Sequence, residues 1–180
     1  GGTAAIFIEP LELPPTLLII GAGHVGQATA ELGKWLGFRV ILSDDRAELC
    51  NPEVVPNLDD YVVADPDEIT AHVSINASTY IVAVTRGLPI DGKLFPPILA
   101  SSAAYIGLIG SRRRWALTRD KLKSSGITED ALNRVHSPIG LELEAETPKE
   151  IAISILSEII MRRRGGTGQP MRSSINETEA

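Results

Sequence analysis

One cysteine, Cys50, stands in a chain of 180 residues. No internal disulfide can form, so the cross-linked framework of a small secreted domain is excluded and the fold has to rest on its apolar core. Long hydrophobic runs are also missing: none approaches the ~18 residues of a membrane-spanning helix. The opening "GGTAAIFIEP" lacks the basic flank and long apolar stretch of a signal peptide. No membrane role is expected, and a cytoplasmic setting is. Positive charge is in short supply, with a net charge of −6, which argues against a nucleic-acid partner because phosphate contacts need a basic surface. No group of His, Cys, Asp and Glu has metal-site spacing, and no segment repeats.

What is present is ordinary for a globular protein: 43% hydrophobic and 22% charged residues in a length that suits one domain with a full core. Residues 1–164 are expected to form that domain. Within it, residues 1–16 hold a short strand, "AAIFIE", and a Pro-bounded connector; the polar residues 165–180 are expected to be a disordered tail. Continuously apolar strands ("TLLII", "FRVIL", "YVVA", "STYIVAVT", "AAYIGLIG") alternate with helical segments. This pattern predicts an α/β fold, a doubly wound Rossmann-type, mostly parallel sheet of five or six strands with helices on both faces. "DPDEITAHV" reads as a helix, and "RGLPIDGKLFPPILASS" as a helix that is short or starts at its prolines, since Pro96 and Pro97 sit badly in a helix interior. "ITEDALNRV" reads as a brief helix and "HSPIGLELEAE" as a loop with a short extended piece. In "TPKEIAISILSEIIMRRR", Thr147 as cap, Pro148 at the first helical position, Glu150 closing a capping box and Arg162 to Arg164 at the far end define the final helix.

Ligands of such sheets bind beyond the strands' carboxyl ends, which singles out four loops. In "GAGHVG", Gly21, Gly23 and Gly26 have the G-x-G-x-x-G spacing between a strand and a helix, a cradle for a phosphate. His24 and Val25 occupy the first turn of that helix, with His24 pointing toward the crevice as a neutral donor to a ligand or as a capping or packing residue. Asp44 and Asp45 close the second strand, where a carboxylate can take a ribose diol, and Arg46 tolerates a 2′-phosphate, so NAD and NADP both stay open. Thr85, Arg86 and Gly87 follow the fourth core strand and could hold a phosphate or form a plain polar turn; Asp91 is expected to cap the next helix.

The third loop, "GSRRRW", runs from Gly110 and Ser111 into three arginines. The segment Ser111 to Ser125 carries six cations against Asp120 alone, a local +5 that leaves −11 on the rest of the chain. Arg112, Arg113 and Arg114 fall in a helix's first turn, where the backbone already presents positive charge, so they call for an anion. One or two of them are expected in the crevice, another at acidic neighbours or a partner protein; Arg119, Lys121 and Lys123 read as a solvated face. In "VHSPIG", Pro138 and Gly140 present His136 and Ser137 on a shaped edge, without a spacing that supports hydrolase chemistry. Cys50 reads as a passive thiol, with a sulfur-carrying role as the alternative.

"LLIIGAGHVGQATAELGKWLGFRVILSDDR", "YIGLIGSRRR" and "VHSPIGLELEAETPKEIAISILSEII" resemble the carboxyl-terminal Rossmann domain of the XdhC/CoxI family, accessory proteins of molybdenum hydroxylases, over about Ile6 to Arg164. The resemblance implies a homodimeric protein that binds molybdenum cofactor (molybdopterin), guards it during sulfuration by a sulfur donor and passes it to the apo-enzyme of a molybdenum hydroxylase. It implies a cofactor-binding chaperone rather than an enzyme of ordinary turnover. Such proteins usually carry an amino-terminal domain with a cysteine-bearing segment, which this chain is expected to be without. They also often carry a histidine in the fourth-strand loop, where this chain has Leu88 and Pro89. An NAD(P)-binding oxidoreductase and a nucleotide-sensing regulatory module are the competing readings.

Overall fold

In strand β1 (Thr16–Ile20) every residue after Thr16 is buried, which only a strand covered on both faces can satisfy. The computed structural model describes residues 14–174 of the chain. After β1 come α1 (His24–Trp35), β2 (Arg39–Asp44), β3 (Asp60–Val63), α2 (Ile69–His72), β4 (Thr79–Ala83), α3 (Leu88–Leu99), β5 (Tyr105–Leu108), α4 (Arg112–Ser124), α5 (Glu129–Leu132), β6 (Val135–His136) and α6 (Pro148–Arg164). The six strands form one parallel sheet in the order β3-β2-β1-β4-β5-β6. The order reverses at β1, whose neighbours are β2 and β4, so the switch point lies between Ile20 and Ala83.

Alternate residues of each strand enter opposite layers. Leu18, Ile20, Ile41, Ile81 and Ile106 pack with Ile69, Leu94, Phe95, Ile98 and Leu122 of α2, α3 and α4 on one face. Leu17, Ile19, Val40, Leu42 and Val82 pack with Ala30 of α1 and Ile155, Leu156 and Ile159 of α6 on the other. The expected doubly wound α/β architecture is therefore present.

Several elements differ in detail. Helix α3 is neither short nor started by Pro96 and Pro97: it runs 12 residues, with Pro89 in its first turn and Pro96 and Pro97 in its last. Two backbone bonds are lost there, but Leu94, Phe95, Ile98 and Leu99 are buried on the same segment, and burial worth about 1.5–3 kcal/mol per side chain holds the turn in place. Helix α2 is a single turn with only Ile69 buried. Val135 and His136, divided between a helix and a loop in the sequence reading, form an edge strand that pairs with Ile106 and Gly107. Helix α6 has the expected capping box between Thr147 and Glu150, and Gly165 closes it.

The expected amino-terminal strand lies outside the described residues. Of the expected tail, residues 165–174 are described: Gly168 lies against Met161 and Leu141, and Met171–Ser174 form a 3-10 turn. Among the described residues no helix is long and apolar enough to cross a membrane.

Candidate functional site at the switch point

Three loops converge at the carboxyl ends of β1, β2 and β4. At Gly21 the backbone turns with φ +117°, a region that favours glycine, and a Cβ there would stand 2.5 Å from the Val84 carbonyl oxygen. A side chain on Gly26 would overlap the Gly21 carbonyl oxygen, so the first turn of α1 rests on the strand end it has just left. Gly23 is under neither constraint: its φ is −73° and a Cβ on it would meet nothing within 4 Å. It is the N-cap of α1, with no capping side chain and no acidic residue in the helix's first turn. The unsatisfied N–H groups and positive end of α1 are thus presented across a residue with no side chain.

Asp44, at the end of β2, is 5% exposed. Its Oδ2 accepts from the Ala22 amide at 2.7 Å and from Arg46 Nη2 at 3.0 Å; its Oδ1 accepts from Arg46 Nε at 2.8 Å and from the Arg46 amide at 3.0 Å. Burial alone would raise its pKa, but the Arg46 guanidinium and the two amides outweigh burial and hold the carboxyl well below the ordinary carboxylate range. Asp44 therefore clamps the glycine loop to β2, and a ribose diol would reach it only by displacing Arg46. Asp45 points across the opening instead. Both of its oxygens accept from Arg86 Nη2, at 2.5 and 2.7 Å, and Arg46 Nε lies 3.9 Å away. Gly21 and Gly23 on one side, Asp44 to Arg46 on another, and Thr85 and Arg86 on the third surround a cavity of about 60 Å³.

Beneath the cavity lies a charged network that the sequence reading missed. Asp91, expected as a helix cap, is 0% exposed in the first turn of α3. It accepts from Thr85 Oγ1 at 2.5 Å, from Arg114 Nε at 2.9 Å and Nη2 at 2.7 Å, and from Thr118 Oγ1 at 3.4 Å. Arg114 also donates to the Thr85 carbonyl at 3.1 Å and to Thr85 Oγ1 at 2.5 Å. Of the three arginines, then, it is Arg114 that turns inward, and its anion belongs to the protein. Arg112 and Arg113, the two expected at the crevice, are exposed and have no hydrogen bond or ion pair among the described residues. A signal for this was available: Arg114, Thr118 and Leu122 recur every four residues, and the last two are the buried residues of α4. Gly110 makes room for the Arg114 side chain, whose Cδ would stand 2.9 Å from a Cβ at that position. Ser111 caps α4, accepting from the Arg114 amide at 3.2 Å.

Other expected site residues lie elsewhere. His24 is exposed and lines a separate groove with Gln27, Glu31, Thr147 and Lys149 between α1 and α6, because the buried side of α1 is the one carrying Gly26, Thr29, Ala30 and Gly33. Val25 packs against the core. His136 and Ser137 belong to β6 and the residue after it, two strands beyond β4. The His136 ring stacks on Tyr105 at 4.8 Å, and its Nδ1 is 3.4 Å from Glu158 Oε1. Burial pushes the imidazole below its ordinary pKa, the Glu158 charge opposing, which favours the neutral ring. Buried Glu158 accepts from the Tyr105 hydroxyl at 2.9 Å and the Gly140 amide at 2.6 Å, tying α6 to β5 and the His-Ser-Pro loop. Ser137 Oγ is buried with no hydrogen-bond partner among the described residues. Cys50 is 2% exposed, its thiol bonded to the Leu42 carbonyl at 3.2 Å, and burial raises its pKa. No metal-ligating cluster occurs among the described residues.

A parallel 3-2-1-4-5-6 sheet with a glycine loop at its switch point defines a Rossmann-type α/β domain. More narrowly, the XdhC Rossmann domain family matches residues 17–159, and the chain belongs to that family. It is 32% identical over 169 residues to the uncharacterized protein YqeB of Escherichia coli K12, covering 93% of this chain and 31% of that one. It is 31% identical over 162 residues to a probable xanthine dehydrogenase subunit of Bacillus subtilis, covering 90% of this chain and 47% of the relative. A crystal structure described as a xanthine dehydrogenase from Bacillus halodurans superposes with a TM-score of 0.74 at 27% identity, over 86% of this chain and 44% of that one. The chain thus spans less than half the length of these relatives. It is related to xanthine dehydrogenase accessory proteins.

Proposed function

We propose that this domain holds a phosphorylated cofactor at the β1/β4 switch point, and that the cofactor is molybdopterin on its way to a molybdenum hydroxylase. The observation that carries the reading is Gly23. Neither its backbone angle nor its surroundings require glycine, while an anion approaching the N-terminus of α1 does. The residues fit such a group: main-chain N–H donors over Gly23 would take the phosphate, and the Arg86 guanidinium stands on the facing loop. When bound, the cofactor would supply the pterin dithiolene that carries molybdenum; the protein's part is to bind, orient and shield it.

In this reading the domain is a carrier rather than an enzyme of ordinary turnover. It acts as a homodimer, with a hydroxylase apo-enzyme and a sulfur donor as partners. The names of the Bacillus relatives support the hydroxylase connection. The NAD(P)-dependent oxidoreductase and nucleotide-sensor readings are weaker, since both oxygens of Asp44 are already engaged by Ala22 and Arg46. Fluorescence titration of the purified protein with molybdopterin, NADH and NADPH tests the proposal. Saturable molybdopterin binding without hydride transfer is expected; micromolar NADH or NADPH binding with hydride transfer and no pterin uptake would overturn it.

A further inference from the structure

A cavity of about 60 Å³ holds about two water molecules, far below the ~300–1,000 Å³ of a small-molecule site. One ion pair in its wall joins two of the loops that line it. Arg86 Nη2 reaches across from the β4–α3 loop to both oxygens of Asp45 on the β2 loop, at 2.5 and 2.7 Å. The backbone on either side of Arg86 is fixed. Thr85 before it is held through its hydroxyl and carbonyl by Asp91 and Arg114, and Gly87 after it has φ +150°, caps α3 and accepts from the Ile90 and Asp91 amides. The side chains of Arg86 and Asp45 are freer, 46% and 35% exposed.

We infer that Asp45 is a resident competitor for the anion-binding group of this site: its carboxylate occupies the Arg86 guanidinium until a phosphate displaces it. The inference rests on the phosphate-binding reading of the switch point. A carboxylate and a phosphate present similar pairs of oxygens to a guanidinium, so the exchange replaces one planar contact by another and needs only side-chain rotation. A phosphomonoester dianion carries more charge than the carboxylate it displaces, and the end of α1 favours it further. The released Asp45 keeps a cation within reach, since Arg46 Nε is 3.9 Å away. Ligand binding and release of Asp45 from Arg86 are then one event, and weak anions of single charge are turned away.

Calorimetric titration with inorganic pyrophosphate tests this in the wild-type protein, Asp45→Asn, Arg86→Gln and the double variant. Removing the competitor should tighten binding about fivefold, the upper range for an exposed ion pair, while Arg86→Gln should weaken it at least tenfold. In the double variant Asp45→Asn should bring no gain, because Asp45 acts only through Arg86. An equal gain in the Arg86→Gln background would show general charge repulsion and overturn the competitor. Unchanged affinity in Asp45→Asn with weakened binding in Arg86→Gln would overturn it while leaving the phosphate site standing. Absence of binding in both the wild type and Asp45→Asn would remove the site itself, and the competitor with it.

Discussion

Replacing Arg114 with Met removes the guanidinium from the Asp91 network and keeps the length and helix propensity of the side chain. Asp91 would be left fully buried, with only the Thr85 and Thr118 hydroxyls as donors. Arg114 itself is only 19% exposed at its side chain, so water does little to screen the pair. Removing one partner of a buried ion pair costs about 3–5 kcal/mol, and at this chain length each kcal/mol moves the melting temperature by about 2–4 °C. The loss expected for Arg114→Met is therefore on the order of 10 °C. Arg112→Met and Arg113→Met, on the same turn but exposed and without a partner among the described residues, should stay within ~0.5 kcal/mol of wild type. The double variant Asp91→Ala with Arg114→Met should lose less than the two single changes combined, since neither charge is then stranded. Thermal unfolding followed by circular dichroism reads all of these proteins. Equal melting temperatures for Arg114→Met and Arg113→Met, or strict additivity in the double variant, would refute the buried pair.

Asp44 has a folded-state pKa held below its ordinary value, so its contribution to stability is complete above about pH 4 and is lost as the pH falls through the folded-state value. Asp44→Asn should be less stable than wild type at pH 7 and lose less on acidification; urea midpoints with parallel pH dependence in both proteins would contradict this. Cys50, buried with a raised pKa, should react with a disulfide reagent such as DTNB only through unfolding. Labelling that is fast in the native protein and insensitive to stabilising conditions would reopen the sulfur-carrying reading.

Much of this molecule is legible in its sequence, for physical reasons that also mark where legibility ends. A strand such as "TLLII" can be satisfied only inside a doubly covered parallel sheet, and the capping signals around Thr147 and Glu150 are local chemistry, so both were readable. Helical phase is set by packing, and there the reading failed. His24 and Arg112 sit in first turns facing away from the crevice, because the buried stripes of α1 and α4 run through Gly26 and Ala30 and through Thr118 and Leu122. Extending the α4 stripe back to Arg114 would have found the inward arginine. Ala22, Arg86 and Arg114, which donate to Asp44, Asp45 and Asp91, lie 22, 41 and 23 residues from them in sequence, so these contacts appear only in the tertiary fold, whereas Arg46 on Asp44 is a local partner. The α3 prolines show the converse, burial overriding a strong local rule.

The central claim is that Gly23 is glycine for a ligand's sake, and Gly23→Thr tests it most directly. Threonine and glycine serve about equally as N-caps, the backbone angle suits either, and an added Cβ meets nothing within 4 Å. An unchanged melting temperature and loss of molybdopterin and pyrophosphate binding are expected. Binding as tight as wild type in a stably folded Gly23→Thr protein would contradict the claim.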